Sequence, residues 1–240
     1  MNQASPVAVV TGVGPGTGAA IARRFAHGGY AVAMLARNSE RLIQLAQDTP
    51  GTHAYPCDVT DEGQLDTTLA AIRTELGVPK VLIHNAVGGA FGNFLDIDPQ
   101  VLNRNFQVNT MALLYLARRL APAMIEAREG AIITTGNTSA FRGKANFAGF
   151  APTKAAQRIL AEAIAREVGP NGVHAAYIMI DAVIDLPWTR QMMKQRLGKE
   201  APDDFFIKPT AIAEEVWHVA HQDRSAWSFN VELRPFGETW

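Results

Sequence analysis

The sequence predicts an α/β chain: a doubly wound parallel sheet of about seven strands with helices on both faces. Three observations predict it. Short β-branched apolar runs alternate with longer segments of helical period along the whole chain. The runs are continuously apolar rather than alternating, as strands buried on both faces are. No linker, repeat or shift in composition interrupts them, so residues 1–240 read as one domain.

Val7–Thr11 is the first strand, and the helix after it takes residues 16–27, with Ala20, Ile21, Arg24 and Phe25 at helical spacing. Residues 31–35 form the second strand, and Ser39 is placed as the cap of a helix through Asp48. Residues 53–57 form the third strand, and Thr60 is placed as the cap of a helix to about Leu76. Residues 81–84 are the fourth strand. Asp98-Pro99 starts a helix, a capping carboxylate followed by proline at the first helical position. That helix is expected to reach Glu129, kinked at Pro122. Residues 131–135 are the fifth strand, followed by a helix from about 149 to Val168 and a turn at Pro170-Asn171-Gly172. Val173–Ile180 is the sixth strand; Lys208-Pro209-Thr210 opens the last helix, and residues 228–233 complete the sheet. Residues 185–208 mix Pro187, Trp188, Met192 and Met193 with charges just beyond a strand end. Ligands of such sheets sit there, so this segment is expected to form an irregular lid.

Composition excludes several classes. With 240 residues, 48% of them hydrophobic, the chain can bury roughly 70–75% of its unfolded surface. A net charge of −1 argues against a nucleic-acid binder, which needs a basic stripe. The single cysteine, Cys57, forms no internal disulfide. Residues 1–6 lack the charged-then-apolar order of a leader peptide, and no apolar run approaches the roughly 20 residues that span a bilayer. The expectation is a cytoplasmic protein with a small-molecule substrate and no membrane partner.

Thr11-Gly12-Val13-Gly14-Pro15-Gly16-Thr17-Gly18 joins the first strand to the first helix. Glycines there permit a tight turn and close approach of backbone to a diphosphate, while the helix N-terminus offers free N–H groups and about half a positive charge. The strand before and the helix after make this a strong dinucleotide signature. After the second strand comes Leu35-Ala36-Arg37-Asn38-Ser39, with no carboxylate to hold a ribose 2′-hydroxyl. Arg37 is suited instead to a 2′-phosphate, which points to NADP rather than NAD.

The spacing Thr-Gly-x-x-x-Gly-x-Gly resembles the short-chain dehydrogenase/reductase family, and the likeness extends over nearly the whole chain. It implies a Rossmann fold in which Gly12, Gly14, Gly16, Thr17 and Gly18 cradle the cofactor. Cys57-Asp58-Val59 looks like the family segment at the adenine, so Asp58 and Val59 are expected there. His84-Asn85-Ala86-Val87-Gly88 resembles Asn-Asn-Ala-Gly with two departures, His84 and Val87, and brings in Asn85 and Ala86. Residues 181–187 correspond loosely to the region after the sixth strand but lack its usual Pro-Gly pair. Asn109, in Gln-Val-Asn-Thr, and Lys154 match the family's asparagine and lysine. The resemblance implies that Lys154 holds the nicotinamide ribose and that Asn109 supports a water relay.

Two positions depart further. The family's proton-donating tyrosine stands four residues before the lysine, where this chain has Phe150, and its serine stands thirteen residues earlier, where this chain has Asn137. Phenylalanine has no exchangeable proton. A longer spacing to the lysine meets Phe147, and none of Tyr30, Tyr55, Tyr115 and Tyr177 is near Lys154 in sequence. Ser139 takes the serine's role only with a register shift of two residues. Asn137 is able to donate to an oxyanion. Asn109, Asn137, Phe150 and Lys154 are therefore the candidate catalytic set of an atypical relative. Three readings stand: an NADP-dependent oxidoreductase with a variant site, a silent NADP-binding sensor or assembly protein, and a non-redox lyase or isomerase in the same pocket.

His84, at a strand end, reads as a packed loop histidine. Glu214, His218 and His221 share a helix face without further ligands, which argues against a metal site. Trp188 is placed either over the pocket or in packing. Leu113, Leu114, Leu116 and Leu120 spread around their helix, and the resemblance implies that this helix and the one through Lys154 form a homodimer or homotetramer interface. The tail 234–240 is placed at a tetramer contact or over the pocket.

Overall fold

The computed structural model describes residues 5–237. Seven strands form one parallel sheet: β1 Val7–Thr11, β2 Ala31–Ala36, β3 Thr52–Pro56, β4 Pro79–His84, β5 Gly130–Asn137, β6 Val173–Ile180 and, at the far edge, β9 Asn230–Leu233, in the order β3-β2-β1-β4-β5-β6-β9. The order reverses between β1 and β4, which opens a crevice at their carboxyl ends.

Alternate residues of each strand enter opposite layers. Val7 and Val9 join Leu65, Ile72, Leu113, Leu116 and Ile164 on one face. Ala8 and Val10 join Ile21, Phe25, Leu42, Ile212 and Val216 on the other. Each buried Val, Leu, Ile or Phe side chain among them contributes about 1.5–3 kcal/mol relative to exposure. Helices α1 (Thr17–His27) and α8 (Pro209–Ala220) are locked by rings: Phe25 and Trp217 at 5.0 Å, and Trp217 and His221 stacked at 3.8 Å. Glu214 accepts from Arg24 at 2.7 Å, His221 meets the Tyr30 hydroxyl at 3.0 Å, and His218 is exposed. Among the described residues there is no group of three or more His, Cys, Asp and Glu side chains placed to hold a metal, and no helix long and apolar enough to cross a membrane.

Several local expectations are corrected. Asn38, not Ser39, caps α2 (Ser39–Asp48), its side-chain oxygen accepting from the Arg41 amide at 2.9 Å. Asp61, not Thr60, caps α3 (Glu62–Glu75); the Thr60 hydroxyl instead donates to Asp58 at 2.8 Å. In both cases a planar side-chain oxygen one position away satisfies the first free N–H groups. Asp98 does cap α4 (Pro99–Phe106), accepting from Gln100 at 2.8 Å. The expected long helix is interrupted by a wide π turn at Gln107–Met111, and it resumes as α5 (Ala112–Ala127), which continues past Pro122. The extra residue in that turn frees carbonyls from the helix ladder, and Asn109 is at its centre.

Residues 187–197, within the segment expected to be irregular, are helical, while residues 198–202 do remain outside helix and strand. β7 (Val183–Ile184) pairs in parallel with β8 (Phe206–Ile207), and α7 (Pro187–Leu197) lies between them. Arg190 is the staple, donating to Asp185 at 2.5 Å and to Asp203 at 2.8 Å. Trp188 is 64% exposed. The tail is tied back through Arg234, which donates to Asp181 at 2.9 Å, and through the Gly237 amide, which donates to the Asp204 carbonyl at 3.0 Å. Residues 238–240 lie outside the described residues.

Candidate active site

The crevice is built around Thr11, the last residue of β1. Its hydroxyl oxygen accepts from the amides of Asn85 at 3.2 Å and Ala86 at 3.3 Å. That commits its own proton to His84 Nδ1, 3.1 Å away. His84 is fully buried, and its Nε2 faces the backbone carbonyls of Val108 and Asn109 without a hydrogen bond of normal geometry. Burial first, and then the nearby Lys154 charge, push its pKa down to about 4, so the ring is neutral and structural at physiological pH.

Asn85 clamps the glycine loop. Its Nδ2 donates to the Gly12 carbonyl at 3.0 Å and its Oδ1 accepts from the Thr135 hydroxyl at 3.0 Å. Gly12 has φ +67°, and a Cβ there would lie 2.4 Å from Ala86 Cα, so no other residue fits the turn.

From this clamp a cleft of about 720 Å³ runs across the sheet edge. Gly12, Gly14, Gly16, Thr17, Gly18, Arg37, Asp58, Val59, Asn85 and Ala86 all line it. So do Asn38 and Arg41 just beyond β2, Arg104 and Val108, and Ile184 and Leu186, which form its roof. Leu186 lies directly over Gly16. Three arginines face one carboxylate, Asp58, and none of the three has an ion-pair partner among the described residues. Cys57 also lines the cleft, its thiol pKa pushed up by burial.

The candidate catalytic residues lie behind and beside the inner end of this cleft. Asn109, on the π turn, exchanges both bonds of its side-chain amide with Gly88: Oδ1 accepts from the Gly88 amide at 2.9 Å, and Nδ2 donates to the Gly88 carbonyl at 2.8 Å. The same Nδ2 donates to the Thr153 hydroxyl at 2.7 Å, tying the loop to α6 (Ala151–Val168). Lys154, one turn into α6, is only 3% exposed. Its Nζ donates to Gln157 Oε1 at 2.9 Å and approaches the Thr135 carbonyl at 3.5 Å. Desolvation pushes its pKa down to about 7. Gln157 Nε2 in turn donates to the Asn109 carbonyl at 2.7 Å. One amide side chain thus bridges the asparagine carbonyl and the lysine.

Phe150 immediately precedes α6, its ring against Gly89 of the cleft and 5.9 Å from Lys154 Nζ. Phe91 and Phe147 extend the aromatic surface, with Phe91 5.0 Å from Phe147 and 5.7 Å from Phe150. Asn137 ends β5; its Oδ1 accepts from the Ser139 amide at 3.1 Å and caps the short turn Thr138–Ala140, which leaves its NH₂ group to donate elsewhere. None of the four tyrosines lines the cleft. Tyr30 bonds His221, Tyr55 donates to Glu75 at 2.7 Å, and Tyr115 turns to Gln107. Tyr177 is buried behind β5, its ring tip filling the space over Gly136.

A profile of the short chain dehydrogenase family matches residues 6–195. The chain belongs to the short-chain dehydrogenase family. This short-chain dehydrogenase is 31% identical over 180 residues to D-erythrulose reductase of Gallus gallus, covering 72% of each chain. It is 27% identical over 236 residues to an uncharacterized oxidoreductase of Staphylococcus aureus (strain USA300), covering 95% of this chain and 96% of the relative. A metagenomic short-chain oxidoreductase solved in complex with NADP superposes with a TM-score of 0.82 at 26% identity, over 98% of this chain and 99% of the other. The framework is that of an NAD(P)-dependent oxidoreductase.

Arg41, Gln157 and Leu186 are among the site residues of this short-chain dehydrogenase that the sequence did not single out, with Asn38, Arg104, Val108 and Ile184. Arg41 follows Arg37 by four residues across the capped start of α2, a spacing visible in the sequence. Gln157 follows Lys154 by three residues on the buried stripe of α6, where a polar residue requires a partner. Leu186 carries no local signal; only the return of β7 over the glycine loop places it.

Proposed function

We propose that the protein is an NADP(H)-dependent oxidoreductase whose proton-transfer residues are altered. The supporting observation is the cleft itself, in which the glycine loop at one side faces Arg37 and Arg41 at the other, with no carboxylate at the end of β2. The donor set fits a dinucleotide. Backbone N–H groups at the start of α1 suit a diphosphate, Asp58 and Val59 the adenine, and the two arginines a 2′-phosphate. A reduced nicotinamide supplies hydride to the substrate when bound. Asn85 and Ala86 orient the inner end of the cleft, Lys154 holds the ribose hydroxyls after turning from Gln157, and the free NH₂ of Asn137 donates to the acceptor atom.

In this reading Phe150 takes the place of the family's tyrosine and Asn137 that of its serine. Losing the acid costs roughly 10²–10⁴ in rate for a substrate that needs it. The acceptor is accordingly a small carbonyl or activated double bond that needs little protonation help. Titrating NADPH and NADH separately against the protein tests the cofactor; tighter binding of NADH would overturn the NADP preference. Phe150→Tyr with Asn137→Ser is expected to raise generic ketone reduction, and no gain would count against both assignments.

A silent NADP-binding protein is the second reading, favoured by the absence of an ionisable proton donor beside Lys154. NADPH binding without turnover on a broad carbonyl and C=N panel would establish it. A homodimer or homotetramer through α5 and α6 is also proposed. Leu113, Leu116 and Leu120 are buried in the chain's own core and do not contribute, whereas Ile159 of α6 is exposed. Light scattering at the monomer mass would refute it.

A further inference from the structure

A second hollow of about 690 Å³ lies apart from the cofactor cleft. It opens between the loop after β4, the loop joining β5 to α6, and the first turns of α6. Phe94, Leu95, Phe141 and Phe147 line it, and Ala151 and Ala155 of α6 contribute only methyl groups, which leaves it wide. Phe94 and Leu95 are each 77% exposed, and Phe141 is 55% exposed. Large apolar side chains gathered on one exposed patch mark a binding surface. The concave shape, and a volume within the roughly 300–1,000 Å³ of small-molecule sites, suit a ligand rather than a flat partner.

The walls are held by their own backbone. The Gly92 amide donates to the Asn146 carbonyl at 2.9 Å, and the Phe147 amide to the Lys144 carbonyl at 3.1 Å. Asn93 Oδ1 accepts from the Leu95 amide at 2.7 Å, which sets Phe94 and Leu95 in a turn. A bridge between Gly92 and Phe147 joins the two loops. The hollow and the cleft share no lining residue. Between them runs a chain of ring contacts, from Phe150 against Gly89 of the cleft, through Phe91, to Phe147.

The charge lining the hollow is of one sign. Arg142 and Lys144 contribute to it, and no Asp or Glu among the described residues does. Arg142 comes within 3.7 Å of Asp181, but that carboxylate already accepts from Thr138 at 2.8 Å and from Arg234 at 2.9 Å. The Arg142 side chain stays 50% exposed. Lys144 has no ion-pair partner among the described residues. A carboxylate answers a guanidinium and an ammonium together, and an apolar body leaves water for the rings and methyl groups. A polyhydroxylated body would set unpaired hydroxyls against those rings.

We propose that this hollow is a second ligand site, separate from the cofactor cleft, which takes an apolar monocarboxylic acid. Arg142 and Lys144 meet the carboxylate, and Phe94, Leu95, Phe141 and Phe147 surround the chain. The site does not depend on which cofactor the cleft holds.

Decanoate and decyltrimethylammonium carry the same chain with opposite charges. Calorimetry on the full chain, each probe held below its micellar concentration, should show decanoate binding about tenfold more tightly or better. Equal affinities, or no binding of decanoate, overturn the proposal. Arg142→Gln/Lys144→Gln should weaken decanoate about tenfold or more and leave NADPH affinity and thermal unfolding unchanged. An unaltered decanoate affinity in that variant overturns the carboxylate contact. Ala155→Phe, which fills the hollow from α6, should weaken both probes; Leu95→Asp, at an exposed position that folding tolerates, should weaken decanoate if the first variant is unstable. Displacement of decanoate by NADPH would place the acid in the cofactor cleft and overturn the second site. Light scattering on the same samples separates a remaining occupant. Decanoate that binds only as a dimer dissociates would show that a second copy covers the hollow, and the proposal would fall.

Discussion

The Asn85 side-chain amide donates to the Gly12 carbonyl at 3.0 Å while its oxygen accepts from Thr135 at 3.0 Å. One side chain therefore fixes the glycine loop on β1 to the end of β5. Asn85→Ala leaves both partners without their bonds. A loss of about 2–3 kcal/mol of stability is expected, with weaker NADPH binding because the loop loses its seat. Urea unfolding and a cofactor titration on the same sample check both effects.

Arg37 and Arg41 face the cleft without ion-pair partners among the described residues. Replacing both by alanine should weaken NADPH by about tenfold or more, the equivalent of roughly 1.4 kcal/mol, and change NADH by less than about twofold. Parallel losses for the two cofactors would mean that the arginines do not read the 2′-phosphate.

Lys154 makes stability depend on pH. Its pKa is pushed from 10.5 down to about 7 by burial. Between those values the unfolded chain holds a proton that the folded chain has released, so stability rises with pH across this window and is lost as pH falls through about 7. Each unit of difference is worth about 1.4 kcal/mol at most. Chemical denaturation between neutral and alkaline pH should show the slope, and Lys154→Met should flatten it. An unchanged slope in the variant would assign the effect elsewhere.

Gly136 is open only because Tyr177 needs the space. A Cβ at residue 136 would lie 1.8 Å from the Tyr177 hydroxyl and 2.0 Å from its ring carbon Cζ. Gly136→Ala should cost about 1–3 kcal/mol by overpacking, and Tyr177→Phe should not rescue it, since the ring carbon alone still collides. Restored stability in the double variant would show that the hydroxyl is the sole obstacle.

The fold was readable from the chain because its signals are local and repeated. Val7–Thr11 and Val173–Ile180 appear in the structure with the bounds expected. Each is a β-branched or apolar run ended by turn residues. The cleft lining from Gly12 to Ala86 was readable for the same reason, since each contributor follows directly on a strand end. What escaped depends on contacts distant in sequence. The π turn at Gln107–Met111 lacks a breaker residue, and Pro122, which has one's chemistry, lies in continuous helix. Gln157 gains meaning only once Asn109 and Lys154 are seen on either side of it. The segment after Asp185 looked irregular because Thr189 and Arg190 organise it through side chains rather than through a hydrophobic period.

The two walls of the cleft are held by different kinds of contact. Asn109 bolts the inner floor, Gly88 and Thr153 together, through three side-chain bonds in a buried setting. The roof rests on the glycine loop through the alkyl side chain of Leu186 and is otherwise braced within itself by Arg190. A roof braced within itself and seated through one alkyl contact is expected to open as a unit while the floor keeps its shape, so amide hydrogen exchange should be faster at Leu186 than at Gly88.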